Sequence, residues 1–173
     1  QPLYMTRQRC SIRNGSSPIS QLLKSSITAM TEAGLAFDAL VRPPPLPHLL
    51  TFVRRWPGLR VVIDHGGKPM IGEGRLDPWR ADIAALAVEP GVHCKLSGLL
   101  TEAGQAPTAE VVAPYAAHLL AVFGPERLMW GSDWPVLNLA GDYGRWRRMC
   151  EAWIAPADRA ALFGETARRF YRL

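Results

Sequence analysis

Cysteine is scarce in this chain, and its placement argues against two common ways of stabilising a small protein. The three cysteines, Cys10, Cys94 and Cys150, are odd in number and far apart, and no Cys-x-x-Cys pair occurs. Neither a disulfide framework nor a zinc knuckle is therefore predicted. Free thiols are typical of a reducing compartment, so we expect a cytoplasmic protein.

Long apolar runs are also missing. No stretch approaches the roughly 20 residues that a membrane-spanning helix needs, and the polar, basic N-terminus lacks the apolar core of a signal peptide. We therefore expect a soluble protein without a membrane partner.

Basic runs are missing too, although the net charge is +5. Of the 20 basic residues only Lys24, Lys68 and Lys95 are lysines, and the other 17 are arginines spread along the chain. Nucleic-acid-binding domains more often carry a basic stripe or run. No nucleic-acid partner is predicted, whereas a positive charge suits a small-molecule substrate that bears a carboxylate.

What the chain does contain is a repeated alternation of strand and helix patterns. Short apolar segments predict strands at 35–41, 59–67 and 92–98 and a fourth strand with its exit at 127–136, with helical periodicity between them and after the last. Gly34 and Gly124 are predicted to end helices, and a polar loop is predicted up to Pro107. The last seven residues are predicted to be a tail that packs its aromatic side chains on the body. Crossovers long enough for helices imply parallel strands covered by helices, which is an α/β fold. Residues 1–18 show no period and are predicted to be an irregular segment ahead of a domain at 19–173.

Polar side chains end three of the four predicted strands. The second strand ends in Asp64-His65, the third carries Lys95 and Ser97, and the fourth ends at Asp133. Functional groups of parallel α/β folds collect at these carboxyl ends. Singly, each has a structural alternative: a hydrogen-bonded core histidine, a lysine at a solvated rim, or an Asp that accepts hydrogen bonds from loop amides.

Taken together and in order, these segments resemble a known family. The segments "VVIDHGGKP" (61–69), "WRADIAALAVEPGVHCKLSG" (79–98) and "FGPERLMWGSDWPV" (123–136) are similar to the lactonase branch of the amidohydrolase-related metal-dependent hydrolases. That branch includes L-fuconolactone hydrolases and 2-pyrone-4,6-dicarboxylate lactonases. The resemblance covers about residues 27–173.

The resemblance implies a fold and a set of roles. The fold would be the C-terminal half, about four βα units, of a distorted (β/α)8 TIM-type barrel with parallel strands and outer helices. Asp133 would be the catalytic base that activates water, or a metal ligand as well, and His65 would bind the metal or the substrate. Lys68, Lys95, Ser97 and Trp134 are further candidates for the pocket. The implied substrate is a lactone and the implied cofactor a divalent metal, most often zinc.

The chain departs from the family in one respect. The family's His-x-His pair is absent, because the histidines are His48, His65, His93 and His118. A catalytic zinc normally takes three protein ligands, and the matched positions supply two. A complete barrel needs about 200 residues or more, so we expect a truncated enzyme with weak or no lactonase activity and an exposed sheet edge that favours homo-oligomers.

The sequence patterns bear on three other functions. The main alternative is a non-catalytic small-molecule-binding or assembly module in which two half barrels pair. A serine hydrolase is disfavoured because neither "KLSGL" nor "WGSDW" forms a Gly-x-Ser-x-Gly elbow. A dinucleotide-binding role is disfavoured because no Gly-x-Gly-x-x-Gly follows a strand.

Overall fold

A computed structural model describes residues 18–173, with their side chains from residue 21. Four short strands form one parallel sheet in the order β1-β2-β3-β4. The strands are β1 (Ala36–Ala39), β2 (Arg60–Ile63), β3 (Val92–Leu96) and β4 (Leu128–Trp130). Within residues 18–173 the sheet does not close, so β1 and β4 each pair with one neighbour. This open parallel sheet confirms the predicted partial α/β barrel.

Helices connect the strands, and most of them cover one side of the sheet. They are α1 (Pro18–Glu32), α2 (Leu46–Arg55), α3 (Trp79–Ala87), α4 (Leu99–Glu102), α5 (Ala109–Arg127), α6 (Tyr143–Trp153) and α7 (Thr166–Tyr171). Their positions agree with the sequence pattern, except that α4 lies in a stretch predicted to be a loop and α7 in the stretch predicted to be a tail. No helix within residues 18–173 is both long enough and apolar enough to cross a membrane.

Glycine ends two helices where the sequence predicted an end. Gly34 follows α1 with φ 65°, the left-handed conformation that closes many helices. At Gly124 the backbone of α5 leaves the helical region, with φ 64° and ψ 176°, and Pro125 begins a separate last turn. The irregular segment predicted at 1–18 lies outside the described residues except for Pro18, where α1 begins, and the boundary at residue 18 stays a prediction.

Alternation along the strands gives the sheet two faces. One face packs against α2, α3, α5 and α6 and forms the main core. Its strand residues are fully buried: Val61, Ile63, Val92, Cys94, Leu96 and Leu128. The register places Asp38, Val62, His93, Lys95 and Met129 on the opposite face. In a (β/α)8 barrel, the face turned away from the helices is the interior.

Helix α7 covers part of that opposite face. Phe170 packs on Val62 and Met129, and its ring centroid lies 4.6 Å from that of His93. The Arg60 guanidinium donates hydrogen bonds to the carbonyls of Phe170 and Gly34. The C-terminal aromatic residues therefore pack on the body of the protein, as predicted from the sequence.

Candidate active site

Three of the predicted residues meet beyond the carboxyl ends of β2, β3 and β4. His65 Nδ1 lies 2.9 Å from Ser97 Oγ, and His65 Nε2 lies 3.7 Å from Asp133 Oδ1. The side chains of His65 and Asp133 are 24% and 9% exposed, and Ser97 is 2% exposed. The imidazole therefore lies between a buried hydroxyl and a carboxylate and keeps some access to solvent.

The backbone at both His65 and Asp133 is left-handed. The φ angles are 52° at His65 and 61° at Asp133, a region that non-glycine residues seldom adopt because it costs about 1 kcal/mol or more. Such a conformation persists only where the surroundings enforce it. It turns each side chain away from the strand direction and towards the other.

Two buried indoles hold these turns. Trp79 Nε1 donates to the carbonyl of Gly66, beside His65, at 2.7 Å. Trp146 Nε1 donates to the carbonyl of Gly131, two residues before Asp133, at 2.9 Å. Both tryptophans are 1% exposed, so the hydrophobic core of α3 and α6 fixes the loops that carry the site.

A small helix missed at the sequence level also contributes. Thr101, in α4, places its hydroxyl 3.3 Å from Asp133 Oδ2 and 2.8 Å from the carbonyl of Gly98. A hydroxyl has one proton, and the shorter contact, to a carbonyl that can only accept, takes it. The Thr101 oxygen is then free to accept a hydrogen bond from Asp133 once that carboxylate is protonated. We call His65, Ser97, Thr101 and Asp133 the imidazole-carboxylate cluster.

Lys95 belongs to a different group of side chains. Its ammonium donates to Asp38 Oδ2 at 2.6 Å and lies 2.7 Å from Asp64 Oδ1, an ion pair outside hydrogen-bond alignment. Tyr171 of α7 donates to Asp38 Oδ2 at 2.7 Å. Burial acts to lower the pKa of Lys95, but the paired carboxylates outweigh it and raise the pKa overall. We call Asp38, Asp64, Lys95 and Tyr171 the ion-pair cluster.

The side chains of Lys68 and Trp134, the other candidates for the pocket, make no hydrogen bond or ion pair to the side chains of His65 and Asp133 among the contacts of residues 18–173. The backbone N–H of Lys68 donates to the carbonyl of His65 at 2.9 Å. Lys68 pairs with Glu102 at the end of α4 and borders a separate cavity of about 360 Å³. The side chain of Trp134 is 69% exposed. Its backbone N–H donates to Ser132 Oγ at 3.2 Å.

The other histidines of the strands and helices do not join the cluster. His93 stacks on Phe170, and His118 donates through Nε2 to the carbonyl of Arg80 at 2.9 Å. In the part of the chain that the structure describes, no group of three or more His, Cys, Asp or Glu side chains is arranged to hold a metal ion.

Comparison with known proteins identifies relatives over most of the chain. It is 50% identical to an L-fucono-1,5-lactonase of Burkholderia ambifaria, over 88% of this chain and 55% of that protein. It is 40% identical to an L-fucono-1,5-lactonase of Burkholderia multivorans, over 79% of this chain and 51% of that protein. The chain thus spans about half the length of the curated relatives it matches.

A solved structure agrees with this result. A zinc-bound amidohydrolase from Burkholderia multivorans superposes with a TM-score of 0.81 at 38% identity, over 86% of this chain and 56% of that one. The model of the amidohydrolase family matches residues 13–173, which confirms the resemblance predicted from the motifs. The chain belongs to the amidohydrolase family.

Proposed function

We propose that the imidazole-carboxylate cluster hydrolyses a lactone, with Asp133 as the general base. The observation that carries the proposal is the 3.7 Å approach of His65 Nε2 to Asp133 Oδ1 at strand ends, in a chain whose curated relatives are named L-fucono-1,5-lactonases. A carboxylate within reach of a water molecule can take its proton during attack on a carbonyl.

The chemistry balances with groups that this chain supplies. Asp133 accepts a proton from water while the water oxygen bonds to the lactone carbonyl carbon, and His65 lies where it can contact the substrate. The ring C–O bond then breaks, and Asp133 returns its proton to the leaving alkoxide oxygen. The product is a hydroxy acid, which ionises at neutral pH. Thr101 Oγ1 can accept a hydrogen bond from the protonated carboxyl between these two steps.

The substrate class that we propose is the lactone of a sugar acid. Its support is the naming of the two Burkholderia relatives, each of which is about half covered by this chain. The non-catalytic module, the alternative drawn from the sequence, gains no support from these relatives. Half of the relatives' length has no counterpart here, so we expect slow turnover from this chain.

The described residues could supply some, but not all, of the ligands of a catalytic zinc ion. The solved relative from Burkholderia multivorans holds zinc, and a catalytic zinc normally takes three protein ligands. Here His65 and Asp133 could supply two, and residues 18–173 contain no arranged group of three. The described residues do not complete a zinc site by themselves, so each step above uses protein groups and water alone.

The proposal is tested by acid release from sugar-acid lactones. We expect the purified chain to hydrolyse an aldonolactone faster than the uncatalysed reaction, measured with a pH indicator, with and without added zinc. Asp133→Asn removes the base and is expected to abolish the acceleration, whereas Asp158→Asn, remote in sequence from the cluster, serves as the matched control. Equal rates for the wild type and Asp133→Asn would rule out the proposed base.

We further propose that copies of the chain associate through the open sheet. Two large apolar side chains that flank β1, Leu35 and Leu40, are 55% and 63% exposed, and an unpaired strand edge favours association. A mass measurement in solution tests this. A defined dimer that is lost in a Leu35→Glu/Leu40→Glu variant supports it, and a monomer at high concentration contradicts it.

A further inference from the structure

The contact between Ser97 and His65 is the only hydrogen bond of the Ser97 side chain among the described residues. Ser97 Oγ lies 2.9 Å from His65 Nδ1, and the serine is 2% exposed. Water therefore has little access to this hydroxyl. Whether Ser97 donates or accepts in this bond decides which ring nitrogen of His65 carries the proton.

Hydrogen-bond accounting favours donation by Ser97. If Nδ1 carried the proton, Ser97 would accept, and its own hydroxyl proton would be buried without an acceptor. An unsatisfied buried donor is costly, whereas an unused lone pair costs less. The hydroxyl therefore donates, and Nδ1 presents its lone pair.

The other side of the ring favours the same tautomer. Asp133 Oδ1 lies 3.7 Å from Nε2, too far for a direct hydrogen bond but close enough for electrostatic interaction. A carboxylate attracts a ring N–H and repels a lone pair that points at it. The surroundings of both ring nitrogens of His65 thus favour the tautomer with the proton on Nε2.

Two glycines make this arrangement sterically possible. A Cβ at Gly98 would lie 2.6 Å from His65 Cβ and 2.8 Å from Nδ1, and a Cβ at Gly131 would lie 3.1 Å from Ser97 Cβ. Only glycine at Gly98 allows the imidazole to lie this close to the exit of β3. The ring and the hydroxyl are therefore confined to one relative position.

We propose that Ser97 is a positioning residue, which donates to His65 Nδ1 and keeps the imidazole proton on Nε2. The Nε2–H group then points towards Asp133 and towards the carbonyl of a bound lactone, where it donates a hydrogen bond to the oxygen that gains negative charge. This function of Nε2–H rests on the proposed lactone hydrolysis without zinc on His65, because a protonated Nε2 cannot bind a metal ion, whereas the tautomer itself does not depend on that reaction.

The tautomer is measured by NMR without any substrate. The chain is labelled with 15N at histidine, and long-range 1H–15N correlations are recorded in EDTA at about pH 9, above the ordinary imidazole pKa of about 6.5. His65→Asn assigns the His65 signals. His118 is an internal reference, because its Nε2 donates to the carbonyl of Arg80 and must carry a proton.

In the wild type, we expect protonated Nε2 and unprotonated Nδ1 at His65. Ser97→Ala is expected to shift His65 towards a mixture of tautomers while the His118 signals stay unchanged, which shows that the fold is retained. Ser132→Ala, which removes a hydroxyl bonded to Trp134 N, is the matched control and should leave His65 unchanged. A protonated Nδ1 in the wild type, or no change in Ser97→Ala, overturns the proposal.

Kinetics separate this inference from the proposed function. Ser97→Ala is expected to lower kcat for an aldonolactone about ten- to a hundredfold, as the loss of an orienting partner commonly does, with little change in KM. A parallel rise in KM with unchanged kcat contradicts a positioning role. If the NMR result holds but no lactone is hydrolysed, the tautomer assignment stands and the proposed function fails.

Discussion

The same strands supply two polar clusters that differ in how their charges are matched. From the end of β2, Asp64 enters the ion-pair cluster and His65 the imidazole-carboxylate cluster. Lys95, in β3, belongs to the ion-pair cluster, and Ser97, just after β3, belongs to the imidazole-carboxylate cluster. Neighbouring residues of the same strand end, one or two positions apart, thus belong to different clusters.

The charged groups of the two clusters differ in their partners. Among residues 18–173, the ammonium of Lys95 contacts the two carboxylates of Asp38 and Asp64, and Tyr171 of α7 donates to Asp38. The one cation of the ion-pair cluster is therefore already engaged by two anions. In the part of the chain that the structure describes, the Asp133 carboxylate makes polar contacts with the Thr101 hydroxyl and, at 3.7 Å, with the imidazole of His65. Among the described residues, the proposed base Asp133 thus has no ammonium partner, whereas Asp38 and Asp64 share that of Lys95.

Removal of the central charge of the ion-pair cluster should give the largest loss of stability. Lys95→Met leaves Asp38 and Asp64 close together without a cation, and we expect about 2 to 3 kcal/mol less unfolding free energy at pH 7 in urea. This is below the roughly 3 to 5 kcal/mol of a fully buried pair, because the three side chains are 17% to 39% exposed. An unchanged stability would contradict a structural role.

The matched control is Lys24→Met, which removes an exposed lysine of α1 and should change stability by less than about 0.5 kcal/mol. The pKa of Lys95 is raised in the folded state. Its contribution is therefore complete below the unfolded pKa of about 10.4 and is lost only as the pH rises further. The difference between wild type and Lys95→Met should stay constant across neutral pH.

Steric crowding in the imidazole-carboxylate cluster should give the next largest effect. Gly98→Ala and Gly104→Ala both place a side chain at a positive φ, 67° and 94°, but only at Gly98 would the new Cβ meet another side chain, His65. We expect Gly98→Ala to lose about 1 to 2 kcal/mol more unfolding free energy than Gly104→Ala, as overpacking does. Equal losses would mean that the imidazole moves aside freely.

Loss of the Thr101 hydroxyl should have a smaller effect, and we expect it in the rate of lactone hydrolysis. Thr101→Val removes the hydrogen bond to the Gly98 carbonyl and the contact with Asp133, and we expect about a fivefold lower kcat, which corresponds to about 1 kcal/mol. Thr51→Val, which removes an exposed hydroxyl that donates to the Pro47 carbonyl, is the control. A rate equal to that of the wild type in Thr101→Val would leave Thr101 a structural residue.

The smallest expected effect concerns His93, on the opposite face of the sheet. Burial, and next the nearby charge of Arg127, lower the pKa of His93 in the folded state. The unfolded chain therefore binds the proton more readily, and His93 makes stability fall as the pH drops below about 6.5. His93→Gln should lose less unfolding free energy than the wild type between pH 7.5 and pH 5.5. An identical pH dependence would contradict this.

The sequence predicts most of the fold and part of the site. Strand and helix periodicity, together with the glycines at 34 and 124, located the elements. The places of His65 and Asp133 at strand ends, together with the family resemblance, marked them as candidate site residues, but the sequence did not predict that the two side chains approach each other. The sequence could not predict the left-handed turns that direct these side chains, because Trp79 and Trp146 impose them through bonds to distant backbone carbonyls.

Other features depend on tertiary contacts that leave no local pattern. Helix α4 has only four residues, too few for a helical period, so the contact of Thr101 with Asp133 was missed. The partners of Lys95 come from β1, β2 and α7, the farthest more than 70 positions away. The position of Lys95 in its strand predicted a lysine at the rim or in the pocket. Which carboxylates it contacts depends on the register of the strands.

The most direct test of the account compares Asp133→Asn with Asp38→Asn, with lactone hydrolysis and unfolding free energy measured on the same preparations. We expect Asp133→Asn to lower the rate about a hundredfold or more with little loss of stability. Asp38→Asn should keep the rate and lose about 1 to 3 kcal/mol of unfolding free energy. A retained rate in Asp133→Asn, or an equal loss of rate in Asp38→Asn, would contradict the separation of the two clusters.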